Sequence, residues 1–209
     1  PEVATTLESI AFVLDRQGKR DAAVDMLREA LEMRRRTLGP AHPDVASSCT
    51  SLAYWLTDAG RYDEAQNLVE ESLAIRRKAL GPEHPQVATT LTVQANLRLA
   101  RGRYEEARAV AVEAQRILKL SLPDNSWQAA AARNTEGAAL AKLGDYAGAE
   151  SLLLTSLPSL EHSPIPDLPE VGRKRLRELY LAWGRPAEAN KYLGQSLTHR
   201  DAAASTSRK

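Results

Sequence analysis

The sequence has a single cysteine, Cys49, a single phenylalanine, Phe12, and no excess of either charge. One cysteine rules out an intrachain disulfide, and a reducing, cytoplasmic setting is the simplest expectation. Aromatic residues are only 5% of the chain, while alanine and leucine are plentiful, so a helical protein is expected rather than a sandwich or barrel. The 28 basic and 27 acidic residues balance to +1, which argues against a nucleic-acid partner. No apolar run approaches the roughly 20 residues that span a bilayer, so no membrane insertion is expected. The N-terminal "PEVATTLESIAFVLDRQGKR" is amphipathic and does not read as a signal peptide. It starts without methionine and within a repeat joint, as a piece of a longer protein would.

What the sequence does have is a repeat. Gly18, Gly60, Gly102 and Gly144 are each 42 residues apart, and Gly184 follows after 40. They open the phrases "GKRDAA", "GRYDEA", "GRYEEA", "GDYAGA" and "GRPAEA". These phrases end at Ala23, Ala65, Ala107, Ala149 and Ala189, and seven residues further stand Ala30, Ser72, Ala114, Ser156 and Ser196. Repeats of this length are supersecondary units that bury their apolar faces only by stacking.

Each unit reads as two helices. Val3, Leu7, Ile10 and Leu14 in the first unit, and Val45, Cys49, Leu52 and Leu56 in the second, fall on one helical stripe. The repeat glycine ends this helix A in a left-handed conformation, and helix B starts about two residues on. Gly39 and Gly81 end helix B, Pro40 and Pro82 prevent its continuation, and Pro43 and Pro85 open the next helix A. The runs Arg34–Arg36 and Arg76–Lys78 fall in the last turn of helix B, where cations suit the helix dipole. Asp63-Glu64 and Glu105-Glu106 suit the opposite end in the same way.

The phrase "GRYDEA", with a small residue seven positions later, resembles the tetratricopeptide repeat, whose usual period is about 34 residues. The longer period, with "GPEHPQVATTL" and "AIRRKALGPEHP", is similar to the kinesin-light-chain type. The resemblance implies an all-α, right-handed superhelical solenoid of about five helix pairs. The units fall at about 1–39, 40–81, 82–123 and 124–162, with a more polar capping unit at 163–199 and a disordered tail at 200–209. Tyr180 and Trp183 are expected to seal the cap. The last two units also resemble the end of the repeat array that follows the kinase domain in bacterial serine/threonine kinases. The motifs "HRD" and "DFG" are absent from this sequence, so any such domain lies upstream.

No nucleophile elbow, zinc-protease motif, paired C-x-x-C or phosphate loop is present, so no catalytic residue, metal site or cofactor is expected. His42 and His84 recur with the repeat and read as parts of a structural joint. His162 and His199 have no repeat-linked counterpart. Cys49 occupies a stripe position and reads as a small buried hydrophobe. The expected function is non-catalytic binding of a protein or peptide partner, or of the chain's own upstream domain; the oligomeric state is left open. From the family geometry, helix A lines the concave groove, with Thr5, Glu8, Phe12, Thr50, Tyr54, Thr92, Asn96, Asn134 and Ala138 beside the stripe. The family's "LNNLA" is replaced by "LESIA", "CTSLA", "LTVQA" and "RNTEG", so its cargo specificity does not carry over. Gln94, Arg98, Arg133 and Glu136 interrupt the stripe itself. They read either as a structural polar cluster, with Arg98 in diagonal reach of Glu136, or as a groove-facing set able to bind a ligand.

Overall fold

The computed structural model describes residues 2–193; Ser196, His199 and the tail 200–209 lie outside the described residues. Among the described residues there are ten α-helices and no strand. They are α1 (Glu2–Arg16), α2 (Arg20–Leu38), α3 (Pro43–Asp58), α4 (Tyr62–Leu80), α5 (Pro85–Ala100), α6 (Tyr104–Lys119), α7 (Trp127–Leu143), α8 (Tyr146–Glu161), α9 (Leu168–Ala182) and the single turn α10 (Pro186–Ala189). The chain divides into two compact units, one up to Asp124 and one from Asn125. In the first unit α1/α2, α3/α4 and α5/α6 pair as hairpins, α2 packs on α3, and α4 packs on α5. In the second, α7 pairs with α8, and α9 packs on both.

Every turn from helix A to helix B closes in the same way. Gly60 has φ +76°, a conformation that strains any side chain-bearing residue. Its amide donates to the Thr57 carbonyl and the Arg61 amide to the Leu56 carbonyl at 2.8 Å, the paired bonds of a Schellman motif. The same two bonds recur at residues 18–19, 102–103, 144–145 and 184–185. Period and turn chemistry are therefore one fact: only glycine fits the position that ends each helix A.

The joints between hairpins give the two histidines their role. His42 and His84 are the N-cap residues of α3 and α5, extended at ψ near 140°, each followed by proline at the first helical position. The ring Nδ1 of His42 accepts from the Asp44 amide at 3.1 Å, and that of His84 from the Gln86 amide at 3.2 Å. Each ring thus satisfies one of the amides that a helix start leaves without a partner. His84→Ala is expected to lower stability by about 1 kcal/mol, and His84→Asn, which restores a side-chain acceptor, by much less. Urea unfolding of the two variants checks this. His162 instead bonds the Pro158 carbonyl at 2.7 Å.

Small residues set the helix spacing. Ala23, Ala65, Ala107, Ala149 and Ala189 are buried, as are Ala30, Ser72, Ala114 and Ser156. Two further columns on helix A meet them: Ala4, Ala46, Ala88, Ala130, and Ala11, Ala53, Ala95 with Gly137. At Gly137 the approach is tight, since a Cβ there would lie 2.9 Å from Leu153 Cγ.

The apolar stripe behaves as expected in α3, where Val45, Cys49, Leu52 and Leu56 are all buried. In α1 it does not. Val3 and Ile10 are 59% and 43% exposed, and the residues α1 buries are Ala4 and Ala11. The physical reason is contact: α3 is covered by both α2 and α4, whereas α1 packs on α2 alone among the described helices.

In the second unit the C-terminal core gathers Leu140, Leu153, Leu176, Leu179 and Tyr180. Trp183 stacks on Tyr146 of α8 at 5.8 Å, and the Tyr180 hydroxyl donates to Glu150 of α8 at 2.7 Å. Arg185 lies over both rings and bonds the same Glu150. These contacts are the seal expected of Tyr180 and Trp183.

Candidate interaction face and the polar seam beneath it

Helices α1, α3 and α5 each leave one face uncovered by their hairpin partners. In α3 it carries Ser47, Ser51, Tyr54 and Asp58, at steps of four, three and four. The same register is Thr5, Ser9, Phe12 and Arg16 in α1, and Thr89, Val93, Asn96 and Ala100 in α5, where Val93 is buried. Hydroxyls, one amide and two aromatic rings thus line up across three repeats. Arg16 lies 6.0 Å from the Phe12 ring centre. At the turn edges Arg20 bridges Asp15 and Asp58, and Arg101 pairs with Asp63 while lying over Tyr62.

Phe12, Tyr54 and Asn96 are half-buried members of this open face. Glu8, Thr50, Thr92 and Asn134 are not. They share one register position that points at the small column on helix B, so close helix approach encloses them. Thr50 bonds Ser72 at 2.8 Å and Thr90 at 3.3 Å. Thr92 bonds the Ala88 carbonyl at 3.0 Å. Asn134, 1% exposed, donates to Ser156 at 3.0 Å and accepts from Arg175 at 2.9 Å. Thr50, Thr92 and Asn134 therefore belong to the seam between helices rather than to an open groove. Glu8, half-buried, reaches from the same position to Arg34 and to Ser48 at 3.2 Å. Ala138, expected beside the stripe, is also buried.

The stripe-breaking residues separate as well. Gln94 is buried. Arg98 pairs with Glu106 at 2.5 Å, in the first turn of its own helix B, so its charge is met within the hairpin. The Arg98 Nε has no hydrogen-bond partner among the described residues. Arg133 and Glu136 are half-buried on α7. Cys49 is buried and its thiol is pushed up to about 12, chiefly by burial, so it stays protonated and unreactive. Among the described residues no group of three or more His, Cys, Asp or Glu could hold a metal ion, and no helix is long and apolar enough to cross a membrane.

Sequence reasoning missed Arg34 and Arg76. Both are in the basic runs assigned to the helix dipole, yet both turn inward. Arg34 bonds Glu8 through both carboxylate oxygens, Ser48, and Thr5 at 3.3 Å. Arg76 is 4% exposed; its Nη1 donates to the Gln86 carbonyl and to Thr90, each at 2.7 Å, and its Nη2 to Ser47 at 3.1 Å. A signal was present in the sequence. The same register holds Leu118 and Leu160, both buried, so it is a core column. In the first run Arg35, next to Arg34, is half-buried and bridges Glu32 and Glu71.

Stacked antiparallel helix pairs with a small-residue seam define the chain as a helical-repeat scaffold. Two overlapping matches to the family profile described as Tetratricopeptide repeat, at residues 2–78 and 48–119, together cover more than half of it. The chain belongs to the tetratricopeptide repeat family. None of the curated proteins matches it in sequence. Among solved structures it is similar to the nearly identical TPR-like repeats of a putative kinesin light chain from Podosopora anserina, at 23% identity and a TM-score of 0.64, over 98% of this chain and 96% of that one. It is also similar to BtubC (BKLC) from P. vanneervenii, at 22% identity and 0.63, over 95% and 80%. A thermophilic TPR protein of Thermus thermophilus gives 22% and 0.63, over 97% of each chain. These likenesses show the fold alone.

Proposed function

We propose that the chain is a non-catalytic interaction module that holds an extended peptide or a partner helix along the open face of α1, α3 and α5. The observation that carries this reading is the register. Three successive helices present the same face, with hydroxyls at Thr5, Ser47 and Thr89 and larger groups at Phe12, Tyr54 and Asn96. Regularly spaced hydrogen-bonding groups suit a peptide backbone, and half-buried aromatic rings suit an anchoring side chain. Arg98 is already engaged by Glu106, which leaves the peptide reading better supported than a small-molecule site built on Arg98, Arg133 and Glu136. The resemblance of the last two units to arrays that follow bacterial serine/threonine kinases supports a place in a larger signalling protein, where the same face could serve an upstream domain in cis. The coding sequence upstream of Pro1 tests that context: "HRD" and "DFG" motifs support it, and their absence removes the kinase assignment.

The binding reading is tested with peptides selected from a random library on the 209-residue chain. Against the double variant Tyr54→Ala/Ser51→Arg, the selected peptides are expected to bind about tenfold or more weakly, the effect of losing about 1.4 kcal/mol at an aromatic anchor. Unchanged affinity would place the binding surface elsewhere.

A further inference from the structure

The first two repeats set an arginine at the same position of helix B, and their surroundings differ most in charge. In the first, Glu8 stands opposite Arg34 and Ala30 leaves room for it. In the second, the equivalent pair is Thr50 and Ser72, which bond each other. Among the described residues no carboxylate lies within ion-pair distance of Arg76. Its acceptors there are one carbonyl and two hydroxyls, and its Nε has none. Burial lowers its pKa to about 10, so the guanidinium remains charged at neutral pH without a counter-charge. A buried cation in that state attracts an anion strongly, because little water screens it.

Arg76 also reaches the underside of the open face. Its Nη2 donates to the hydroxyl of Ser47, a half-buried member of the open face, and Ser47 in turn bonds the Pro43 carbonyl at 3.2 Å. The charge therefore ends one hydroxyl beneath the proposed binding surface. A carboxylate arriving over Ser47 can accept from the Ser47 hydroxyl, once that turns away from Pro43, and from Nη2. The first repeat offers no such site, because Glu8 already neutralises Arg34. The third offers none, because Leu118 replaces the arginine.

We propose that the open face selects an acidic side chain, Asp or Glu of a bound peptide, at the second repeat over Ser47, through Arg76. The proposal rests on the reading of that face as the peptide-binding surface, and adds to it the chemistry and register of one subsite.

The test uses the 15N-labelled 209-residue chain titrated with N-acetyl-tetraglutamate amide and, as a control, N-acetyl-tetraglutamine amide. The acidic peptide is expected to shift the amide signals around Ser47 and Thr90 saturably, more weakly as salt is raised; the glutamine peptide is expected to leave them unmoved. Two variants separate a binding role from a folding role, and each copies an arrangement that another repeat of this chain already folds with. Thr50→Glu/Ser72→Ala reproduces the Glu8/Ala30 pair and supplies the counter-charge internally; Arg76→Leu reproduces Leu118. Both are expected to lower affinity for the acidic peptide at least tenfold while keeping a native-like spectrum. Equal binding of the two peptides, or variants that bind like the parent, overturns the subsite. Library-selected peptides distinguish its failure from failure of the surface. If Tyr54→Ala/Ser51→Arg weakens them and Thr50→Glu/Ser72→Ala does not, the face stands and the carboxylate subsite falls. If neither weakens them, both fall.

Discussion

Leu52→Ala is expected to lower the unfolding free energy by about 3 kcal/mol, while Ile10→Ala, at the same register one repeat earlier, costs less than about 1 kcal/mol. Leu52 is 2% exposed and Ile10 43%. Removing the Leu52 side chain forfeits its transfer free energy and leaves a cavity between helices on two sides. The side chain of Ile10 already lies against solvent, so its loss removes little burial and opens no void. Urea unfolding of both variants, with the change in midpoint read at constant slope, checks the contrast. Equal losses would mean that α1 packs as tightly as α3.

That contrast marks what could be read from the sequence. Apolar spacing identifies the stripe in α1 and α3 alike, because the same step of residues generates it. It carries no information about how many helices cover the stripe, which depends on neighbours. Turn and joint chemistry was legible for the opposite reason. The left-handed residue at Gly60 and the proline at the start of α3 are local requirements that a few adjacent residues meet by themselves, whereas the recurrence of His42 marked it as part of the joint without its role as helix-cap acceptor. The candidate surface was legible only in part. Phe12, Tyr54 and Asn96 lie on the open face, but Glu8, Thr50, Thr92 and Asn134 lie in the seam. Positions four apart on a helix differ by only about 40° in direction. Whether a residue at the edge of the stripe is enclosed then depends on how near helix B comes, and the buried Ala/Ser column decides that. The inward turn of Arg34 and Arg76 was hidden by their basic neighbours, although Leu118 and Leu160 in later repeats mark the column as interior.

The pairing of Glu8 with Arg34 gives the second large effect. Glu8→Ala is expected to destabilise the first unit by about 2–3 kcal/mol, somewhat below the usual cost of breaking a buried ion pair because Glu8 keeps partial access to water. The side chains of Arg34 and Glu8 are 11% and 26% exposed. Without the carboxylate, Arg34 keeps only the hydroxyls of Ser48 and Thr5. It gains no carbonyl comparable to that of Gln86, which Arg76 uses at 2.7 Å. The loss is therefore the cost of an enclosed cation with poor acceptors, and it should disappear when the cation goes too. The double variant Glu8→Thr/Arg34→Leu copies Thr92 and Leu118, a combination the third repeat already packs with Leu118 fully buried. It is expected to recover to within about 1 kcal/mol of the parent, as buried ion pairs replaced by apolar residues commonly do. A double-mutant cycle read by urea unfolding supplies the measurement. A double variant as unstable as Glu8→Ala alone would show that the first repeat depends on the ion pair itself rather than on avoiding an unpaired charge.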